Sequence, residues 1–183
     1  MMIEVKINGL FLTQSQASGV ILKEIKGKRT LPIIIGEYEA QSIALGLEKI
    51  KPPRPITHDL ALSMLESLTA EIEKIVVTEL KNNTYYAVIH IRRKSRLYKV
   101  DSRPSDAIAL AVRKNIPIFV AEEVMDKGAY TADEIHEVQS GKMELKEDKL
   151  ERLRMELKEA VEKEEYEKAA RIRDEIKKIE SRQ

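Results

Sequence analysis

The chain has no cysteine and no tryptophan among its 183 residues, and it has only two phenylalanines. Without cysteine it has no disulfide, thiolate nucleophile or thiolate metal ligand, so any metal would be bound through oxygen or imidazole nitrogen. No run of about 18 uncharged apolar residues occurs, and the first residues lack a signal-peptide pattern. The sequence therefore predicts a cytoplasmic protein with no membrane partner.

The charge is nearly balanced, with a formal net charge of +1 and 34% charged residues. No field of the whole molecule draws this chain to a polyanion, so a nucleic-acid contact would need a local basic patch. The 43% hydrophobic content is enough for a buried core.

The density of charge changes near Gly141. From Lys142 onward 26 of 42 residues are charged, against 37 of the 141 before them. We predict one domain over residues 1–135, a linker over 136–146 and a helical hairpin over 147–183.

The first part contains two copies of one pattern. Strand-like segments precede a helix that starts near Glu37, and the first of these strands is predicted to end at Asn8-Gly9. A hairpin around Asn82-Asn83 and a further strand lead to a second helix, and an offset of 65 residues aligns the two helices. The sequence predicts an α+β fold in which duplicated β-β-β-α units form a mainly antiparallel sheet with helices packed on it, followed by a C-terminal α-helical hairpin.

Apolar periodicity predicts the buried faces of the remaining helices. Thr57 is predicted to be the N-cap of a second helix that carries Leu60, Met64, Leu65 and Leu68 on its apolar face. The charged C-terminal part carries an apolar stripe on each of two helices broken near Glu164 and Glu165. Since two short helices would not cover both stripes, we expect the hairpin to dock on a further surface.

The stretch Asp101-Ser102-Arg103-Pro104-Ser105-Asp106 connects a strand to a helix and allows two interpretations. Pro104 suits a first helical turn, and Asp106 complements the positive end of the helix, as expected for simple capping. Alternatively, Asp101 and Asp106 face a common point with Arg103 between them, as in a site that acts on phosphate.

Convergent carboxylates would bind a divalent cation, Mg²⁺ or Mn²⁺, which activates water and stabilises a phosphoryl transition state. If the two copies pack together, His58 would join as ligand or proton carrier, and Arg103 would clamp phosphate. Glycine-rich phosphate loops are missing from the sequence, so no nucleotide or organic cofactor is expected. The candidate metal ligands are Asp101, Asp106, Glu37, Glu39 and Asp59.

Positive charge is concentrated in one segment of twelve residues. Such a cluster suits contacts to a DNA or RNA backbone, although charged strand edges are also common as a defence against edge pairing. With few aromatic side chains, base stacking should be sparse. The cluster comprises Arg92, Arg93, Lys94, Arg96, Lys99 and Arg103.

Three segments, "LPIIIGEYEAQSIAL", "RPITHDL" and "VDSRPSDAIALAVR", resemble the bifunctional nuclease domain family over roughly residues 1 to 135. The resemblance implies hydrolysis of both DNA and RNA. The positions that match the motifs are Glu37, Glu39, His58, Asp59, Asp101, Arg103, Ser105 and Asp106. Of these we expect Asp101, Asp106, Arg103 and His58 to be catalytic.

The tail "LERLRMELKEAVEKEEYEKAARIRDEIKKIE" resembles the UVR motif, a helical hairpin of excision-repair subunits and some protease regulators. This implies association with a protein partner, and we also expect a homo-oligomer. The candidate association residues are Leu157, Ala160, Tyr166, Ala169, Ala170, Ile172 and Ile176.

The sequence thus favours a nuclease that acts on DNA and RNA with the help of a divalent cation. The main alternative is a non-enzymatic adaptor or regulatory module that binds protein or nucleic acid. A domain that binds a small anion at its helix starts is a further alternative, although the acids at those starts argue against it.

Overall fold

The computed structural model describes residues 1–13, 16–131, 134–135, 146–163 and 165–180. Most of the predicted linker, residues 136 to 145, lies outside this described part. The strands are β1 (Met2–Leu12), β2 (Ser18–Glu24), β3 (Thr30–Ile35), β4 (Ala70–Lys81), β5 (Thr84–Arg93), β6 (Arg96–Ser102) and β7 (Ile118–Ala121). The helices are α1 (Glu37–Leu47), α2 (Thr57–Ser67), α3 (Pro104–Lys114), α4 (Glu122–Gly128), α5 (Lys146–Glu162) and α6 (Tyr166–Glu180).

The strands form one mixed sheet in the order β3-β2-β1-β7-β4-β5-β6. The β4–β7 pair is parallel, and the other neighbouring pairs in the described sheet are antiparallel. The α+β class and the duplicated unit are confirmed, since β1-β2-β3-α1 and β4-β5-β6-α3 occupy opposite halves of the sheet. β7 joins the halves, and Pro117 immediately precedes it, where its missing N–H costs no ladder hydrogen bond.

The predicted end of the first strand at Asn8-Gly9 is wrong. The β1–β2 register shifts between Ile7 and Leu10, and Gly9 has a φ of 114°. A bulge therefore absorbs the turn signal, because glycine reaches this backbone conformation without steric cost. The hairpin signal at Asn82 and Asn83 is confirmed, with both residues at positive φ as a two-residue hairpin turn requires.

The main core lies between one face of the sheet and the helices. Ile75, Val77 and Ile89 point to this helix-covered face and pack with Ile43 of α1 and Ile108 of α3. Their register and the alternation of side chains fix the direction of every neighbouring residue in these strands.

The predicted N-cap and the predicted buried face of α2 are both wrong. Ile56 is the N-cap, and Thr57 is the first helical residue. Leu60, Met64 and Leu68 are 49%, 58% and 55% exposed, while Leu62 supplies the buried contact to the core. The apolar residues of α2 lie on two different faces, and periodicity alone does not show which of them is buried.

We call the opposite side of the sheet the second face. Tyr130 and Ile135 cover part of it, packing on Ile21 with Phe11 and Ile34 against them. The residues that alternate with the core positions of β7, β4, β5 and β6 also point to this face.

The helices α5 and α6 form a hairpin with its own apolar interior. Leu150, Leu153, Ala160, Ala169, Ile172 and Ile176 are buried there, with Leu157 and Ile179 partly buried against them. The expectation that both stripes need an outside surface is therefore wrong, because they cover each other. Of the predicted association residues, Tyr166 is the most exposed, at 67%. No helix in the described ranges combines the length and apolarity that a bilayer crossing demands.

Candidate functional site

The helices α1 and α3 begin side by side without side-chain caps. Gly36 and Arg103 are their N-cap residues, and neither makes a capping hydrogen bond. A Cβ at Gly36 would lie 2.1 Å from Oε2 of Glu39, so glycine leaves room for that carboxylate. The acids at these helix starts are thus available for contacts between the helices.

Asp106 lies at the centre of a charged cluster built from three helix starts. The Arg103 guanidinium donates from Nε to Oδ2 of Asp106 at 2.7 Å and from a second nitrogen to Oδ1 at 3.1 Å. The same guanidinium contacts Oε1 of Glu39 at 3.0 Å, and Nε2 of His58 lies 3.3 Å from Oδ1 of Asp106. The two copies therefore meet at this cluster, which we call the Asp106 cluster: Glu39, His58, Arg103 and Asp106.

The cluster controls the ionisation of Asp106. Burial acts to raise the pKa of its carboxyl, but the hydrogen bonds and charge of Arg103, together with His58, outweigh burial and hold that pKa below its ordinary value. Asp106 therefore stays ionised at neutral pH, and its carboxylate bonds Arg103 and His58. The contacts of Asp106 thus go beyond those of a helix cap.

A second network holds His58 from the other side. Nδ1 of His58 lies 2.9 Å from Oγ of Ser42, and Arg113 donates to the same Oγ at 3.2 Å and to the Ser42 carbonyl at 3.1 Å. Arg113 also donates from Nε to Asp59 at 2.8 Å. Both ring nitrogens of His58 are thus engaged, and the ring is fixed between Ser42 and Asp106.

Asp59 has a structural contact as well. Its Oδ2 accepts a hydrogen bond from the backbone N–H of Ile56 at 3.2 Å, at the start of α2. The capping interpretation therefore describes Asp59, while the Asp106 carboxylate bonds the side chains of Arg103 and His58.

Asp101 does not join Asp106. It pairs with Val88 in the β5–β6 ladder, next to Val100, which pairs with the core residue Ile89. Because side chains alternate along a strand, Asp101 points to the second face, away from α3. The expectation that these two aspartates face a common point is wrong, although a catalytic role for Asp101 stays a prediction.

The predicted metal ligands are not gathered into one shell. Among the described residues, no three His, Asp or Glu side chains lie where they could hold one ion. Glu39 and Asp106 share Arg103, and Asp59 bonds Arg113, so arginine already neutralises these carboxylates. In this arrangement they do not fit Mg²⁺ or Mn²⁺ as a ligand set. The cation stays a prediction, and Glu37, exposed at the start of α1, stays an untested candidate.

The predicted nucleic-acid-binding residues are spread over the β5–β6 turn and its strands. Arg92 is held in a salt bridge by Glu73. Arg93, Lys94 and Arg96 are exposed around the turn, and Lys99 is exposed on β6. Arg103 belongs to the Asp106 cluster, and its side chain is 65% exposed, which leaves it accessible to a phosphate.

Ser42 and Arg113 were not predicted as site residues. Ser42 is buried, with 7% exposure, in an otherwise apolar face of α1, and this single polar residue was the only signal. Arg113 sits in the last turn of α3, where a basic residue is expected for the helix dipole alone. Its position in the chain does not indicate that it reaches across to α1.

A cleft of about 530 Å³ lies beside this network, between the ends of α1 and α3 and one side of α2, from Asp59 to Glu66. Asp59 and Arg113 line it, with Lys49, Lys51 and Leu62. The cleft is thus on the side of the network that faces away from Asp106.

Comparison with known families shows what this chain is similar to. The bifunctional nuclease domain matches residues 20–133, and the UvrB/uvrC motif matches residues 147–182. The chain belongs to the bifunctional nuclease domain family. The first match contains the whole Asp106 cluster, and the second contains nearly all of the helical hairpin.

Three relatives show how far this similarity extends. An uncharacterized protein of Mycobacterium tuberculosis is 39% identical over 123 residues, covering 67% of this chain and 73% of that protein. Bifunctional nuclease 2 of Arabidopsis thaliana is 29% identical over 130 residues, covering 69% of this chain and 38% of the plant protein. Bifunctional nuclease 1 of Oryza sativa subsp. indica is 28% identical over 109 residues, covering 57% of this chain and 33% of the rice protein.

Proposed function

We propose that this protein hydrolyses phosphodiester bonds of DNA and RNA at the Asp106 cluster. The observation that carries the proposal is the Arg103–Asp106–His58 arrangement in a member of the bifunctional nuclease domain family. It places an exposed guanidinium, an ionised carboxylate and an imidazole within contact of one another, which are the groups that phosphoryl transfer needs.

Arg103 would bind the phosphate. Its fork of N–H donors matches two phosphate oxygens, and it reaches solvent more than any other side chain of the cluster. A bound phosphate would compete with Asp106 and Glu39 for this guanidinium. Since Arg103 is what holds the pKa of Asp106 down, its transfer to the substrate would make Asp106 a stronger base at the moment of attack.

Asp106 and His58 would then transfer the proton of the attacking water. Water attacks phosphorus in line with the leaving oxygen, the new O–P bond forms as the old one breaks, and Asp106 takes the proton of the water. His58, aligned through Ser42, would receive that proton across the 3.3 Å contact and deliver it to the leaving oxygen. Ser42 is buried and unavailable to a polymer, so it acts as a positioning residue.

Three further proposals accompany this function. A divalent cation assists the reaction, the hairpin associates with a protein partner, and the protein forms a homo-oligomer in the cytoplasm. The exposed side chains Leu60, Met64 and Leu68 of α2 and Tyr166 of the hairpin support association, because large apolar side chains in a group favour burial.

A cleavage assay tests the proposal. Purified protein is incubated with end-labelled single- and double-stranded DNA and RNA in Mg²⁺, Mn²⁺ or chelator. Asp106→Asn should lower the cleavage rate about 100-fold or more, as expected for loss of a proton-transfer group. Arg103→Lys should also lower it, because an ammonium does not reproduce the bidentate contact.

The matched control is Glu123→Gln, which removes an exposed acid from the first turn of α4 and should leave cleavage intact. Asp101→Asn, prepared in parallel, decides whether that carboxylate contributes. Equal cleavage by the parent and a folded Asp106→Asn protein would contradict the site. Absence of cleavage by the parent would favour the adaptor.

A further inference from the structure

Five basic side chains lie at one level of the second face: Lys23, Lys6, Lys74, His90 and Lys99. In one half of the sheet Lys6 is directly opposite Lys23. In the other half His90 is opposite both Lys74 and Lys99. We call this set the basic row. Since neighbouring strands are about 4.8 Å apart, the row from β2 to β6 spans roughly 24 Å.

The central strand joins the two halves of the row. Ile118 of β7 is opposite Val5 of β1 and Ile75 of β4, and all three belong to the core. Lys6 follows Val5 and Lys74 precedes Ile75, so both lysines are one step from Ile118 toward Pro117. They therefore lie level with one another and point to the second face, with only Pro117 between them.

The lysines of the row are not held in ion pairs, since no salt bridge connects them to an acid within the described ranges, and Lys6 and Lys99 are exposed. Glu73 is an acid that acts on Lys74 and His90, and its carboxylate is bonded to Arg92. Nδ1 of His90 is buried without a hydrogen bond, and burial followed by the charges of Lys74 and Lys99 lowers the pKa of this ring. Like charges directly opposite each other destabilise a sheet, so the Lys6–Lys23 pair costs stability unless an anion neutralises it.

An apolar strip runs beside the row. Phe119 is opposite Val76, and Val76 is opposite Val88, on the same face and one level along. Glu4 and Asp101 end this strip on β1 and β6. The Lys74 ammonium lies 5.6 Å from the centre of the Phe119 ring, so the basic row and the aromatic ring are in direct contact.

We propose that the second face binds single-stranded nucleic acid, with phosphates along the basic row and bases against Phe119 and Val88. The proposal deepens, and rests on, the proposed nuclease function, because it names the form of substrate that the domain holds. It also gives the central strand β7 a function that the Asp106 cluster does not use.

The apolar strip is what favours single strands over duplex. A row of cations alone would attract either form, since both present phosphates. An aromatic ring beside the phosphates is useful only to bases that are unstacked and unpaired. The Phe119 side chain is half-buried, with Lys74 over it, so a base would replace the ammonium, which is then free for phosphate.

Binding is measured by fluorescence anisotropy with labelled 12-nucleotide DNA and RNA, single-stranded or as duplex, in chelator to suppress cleavage. Lys6→Gln/Lys74→Gln in the full chain should weaken single-strand binding at least tenfold near 0.1 M salt. It should also lower the slope of log K against log salt by about 1.4, or about 0.7 for each phosphate that a lysine no longer neutralises.

The charge-matched control is Lys49→Gln/Lys51→Gln, which removes two exposed lysines from the helix side and should change binding less than twofold. Lys99→Gln, at an exposed position, keeps the test informative if the double variant folds poorly. Affinity of Lys99→Gln and the double variant within twofold of the parent would overturn the proposal.

Phe119→Leu tests the stacking contact. It should weaken single-strand binding about tenfold, as expected when one base no longer stacks, while duplex binding changes little. Equal losses for both forms would show that the face attracts charge alone and would overturn its selectivity for single strands.

Asp106→Asn separates this proposal from the nuclease. It should lower cleavage about 100-fold or more, and Lys6→Gln/Lys74→Gln should still weaken single-strand binding at least tenfold in this background. If the parent cleaves nucleic acid and the row variants bind normally, the proposed binding by the basic row is contradicted and the nuclease proposal stands. If binding depends on the row but the parent cleaves nothing, the nuclease proposal is contradicted and binding by the row stands.

Discussion

On the helix-covered face the charges of the candidate site bond one another, whereas on the second face five basic side chains stand in line without salt bridges in the described structure. Arg103 and Arg113 each contact a carboxylate on another helix. Lys6 is directly opposite Lys23. The same sheet therefore separates charges that hold groups in position from charges left available to a ligand.

This difference bears on how each face recognises phosphate. At the Asp106 cluster a substrate must displace an existing ion pair, which couples binding to a change in the pKa of Asp106. On the second face the four lysines form no salt bridge in the described structure, so binding displaces water, counterions and the contact of Lys74 with Phe119, and it should depend steeply on salt. Mutations should accordingly have opposite effects on stability at the two faces.

The largest expected effect is at Arg113. Its side chain is 9% exposed and donates to Asp59, Ser42 and the Ala109 carbonyl. Arg113→Ala should lower the free energy of unfolding by about 2 kcal/mol, because it leaves these partly buried acceptors without donors. Urea denaturation measures this loss.

Arg93→Ala is the matched control, since it removes an exposed arginine from the β5–β6 turn and should change stability by less than about 0.5 kcal/mol. Equal losses in the two variants would mean that the network around Ser42 contributes nothing specific. Arg113→Lys should fall between them, because one ammonium cannot serve all these acceptors.

A smaller effect, dependent on pH, is expected at Asp106. Its pKa is lowered in the folded state, so its stabilising contribution is complete above the ordinary carboxyl pKa and is lost as pH falls through the folded value. The difference in unfolding free energy between the parent and Asp106→Asn should therefore be greater near pH 5 than near pH 2.5. Urea denaturation across this range follows it.

Gln41→Ala is the control for this pH dependence. It removes an exposed amide that carries no ionisable group, so the difference in unfolding free energy should hardly change over the same pH range. If the difference in unfolding free energy between the parent and Asp106→Asn were also independent of pH, Arg103 and His58 would not stabilise the charged form of Asp106.

The sequence allowed prediction of the elements and of the residues in the Asp106 cluster, but not of which residues meet. Glu39, His58, Arg103 and Asp106 were candidates because the turn before α3 is more polar than a helix cap requires and because all four match the motifs that resemble the bifunctional nuclease domain family. Asp101 was placed with them because it is near in the chain. The alternation along β6 turns it to the other face, and that direction depends on the ladder with β5.

The basic row could not be read from the sequence for a similar reason. Its members come from five strands, and they lie level only through the register of β1 with β2, of β5 with β4 and β6, and of β7 with β1 and β4. Within the chain each lysine is an ordinary polar residue alternating with core positions. The basic cluster around the β5–β6 turn could be predicted because its residues lie close together in the chain.

The smallest expected effect has the opposite sign. Lys6→Glu places an acid directly opposite Lys23, replacing repulsion with attraction across the β1–β2 ladder. It should raise the free energy of unfolding by about 0.5 kcal/mol and the melting temperature by roughly 1–2 °C, and the gain should shrink in high salt. Calorimetry at two salt concentrations measures both changes.

The same substitution should weaken binding to single strands, so one residue would gain stability and lose affinity. Lys51→Glu, outside the row, should do neither, and it serves as the control. A destabilised Lys6→Glu protein would show that Lys6 already has a favourable contact, and the second face would then lack the uncompensated charge that distinguishes it from the helix-covered face. If Lys6→Glu stabilises the protein but does not change its affinity for single strands, the charge of Lys6 has a role other than nucleic-acid binding.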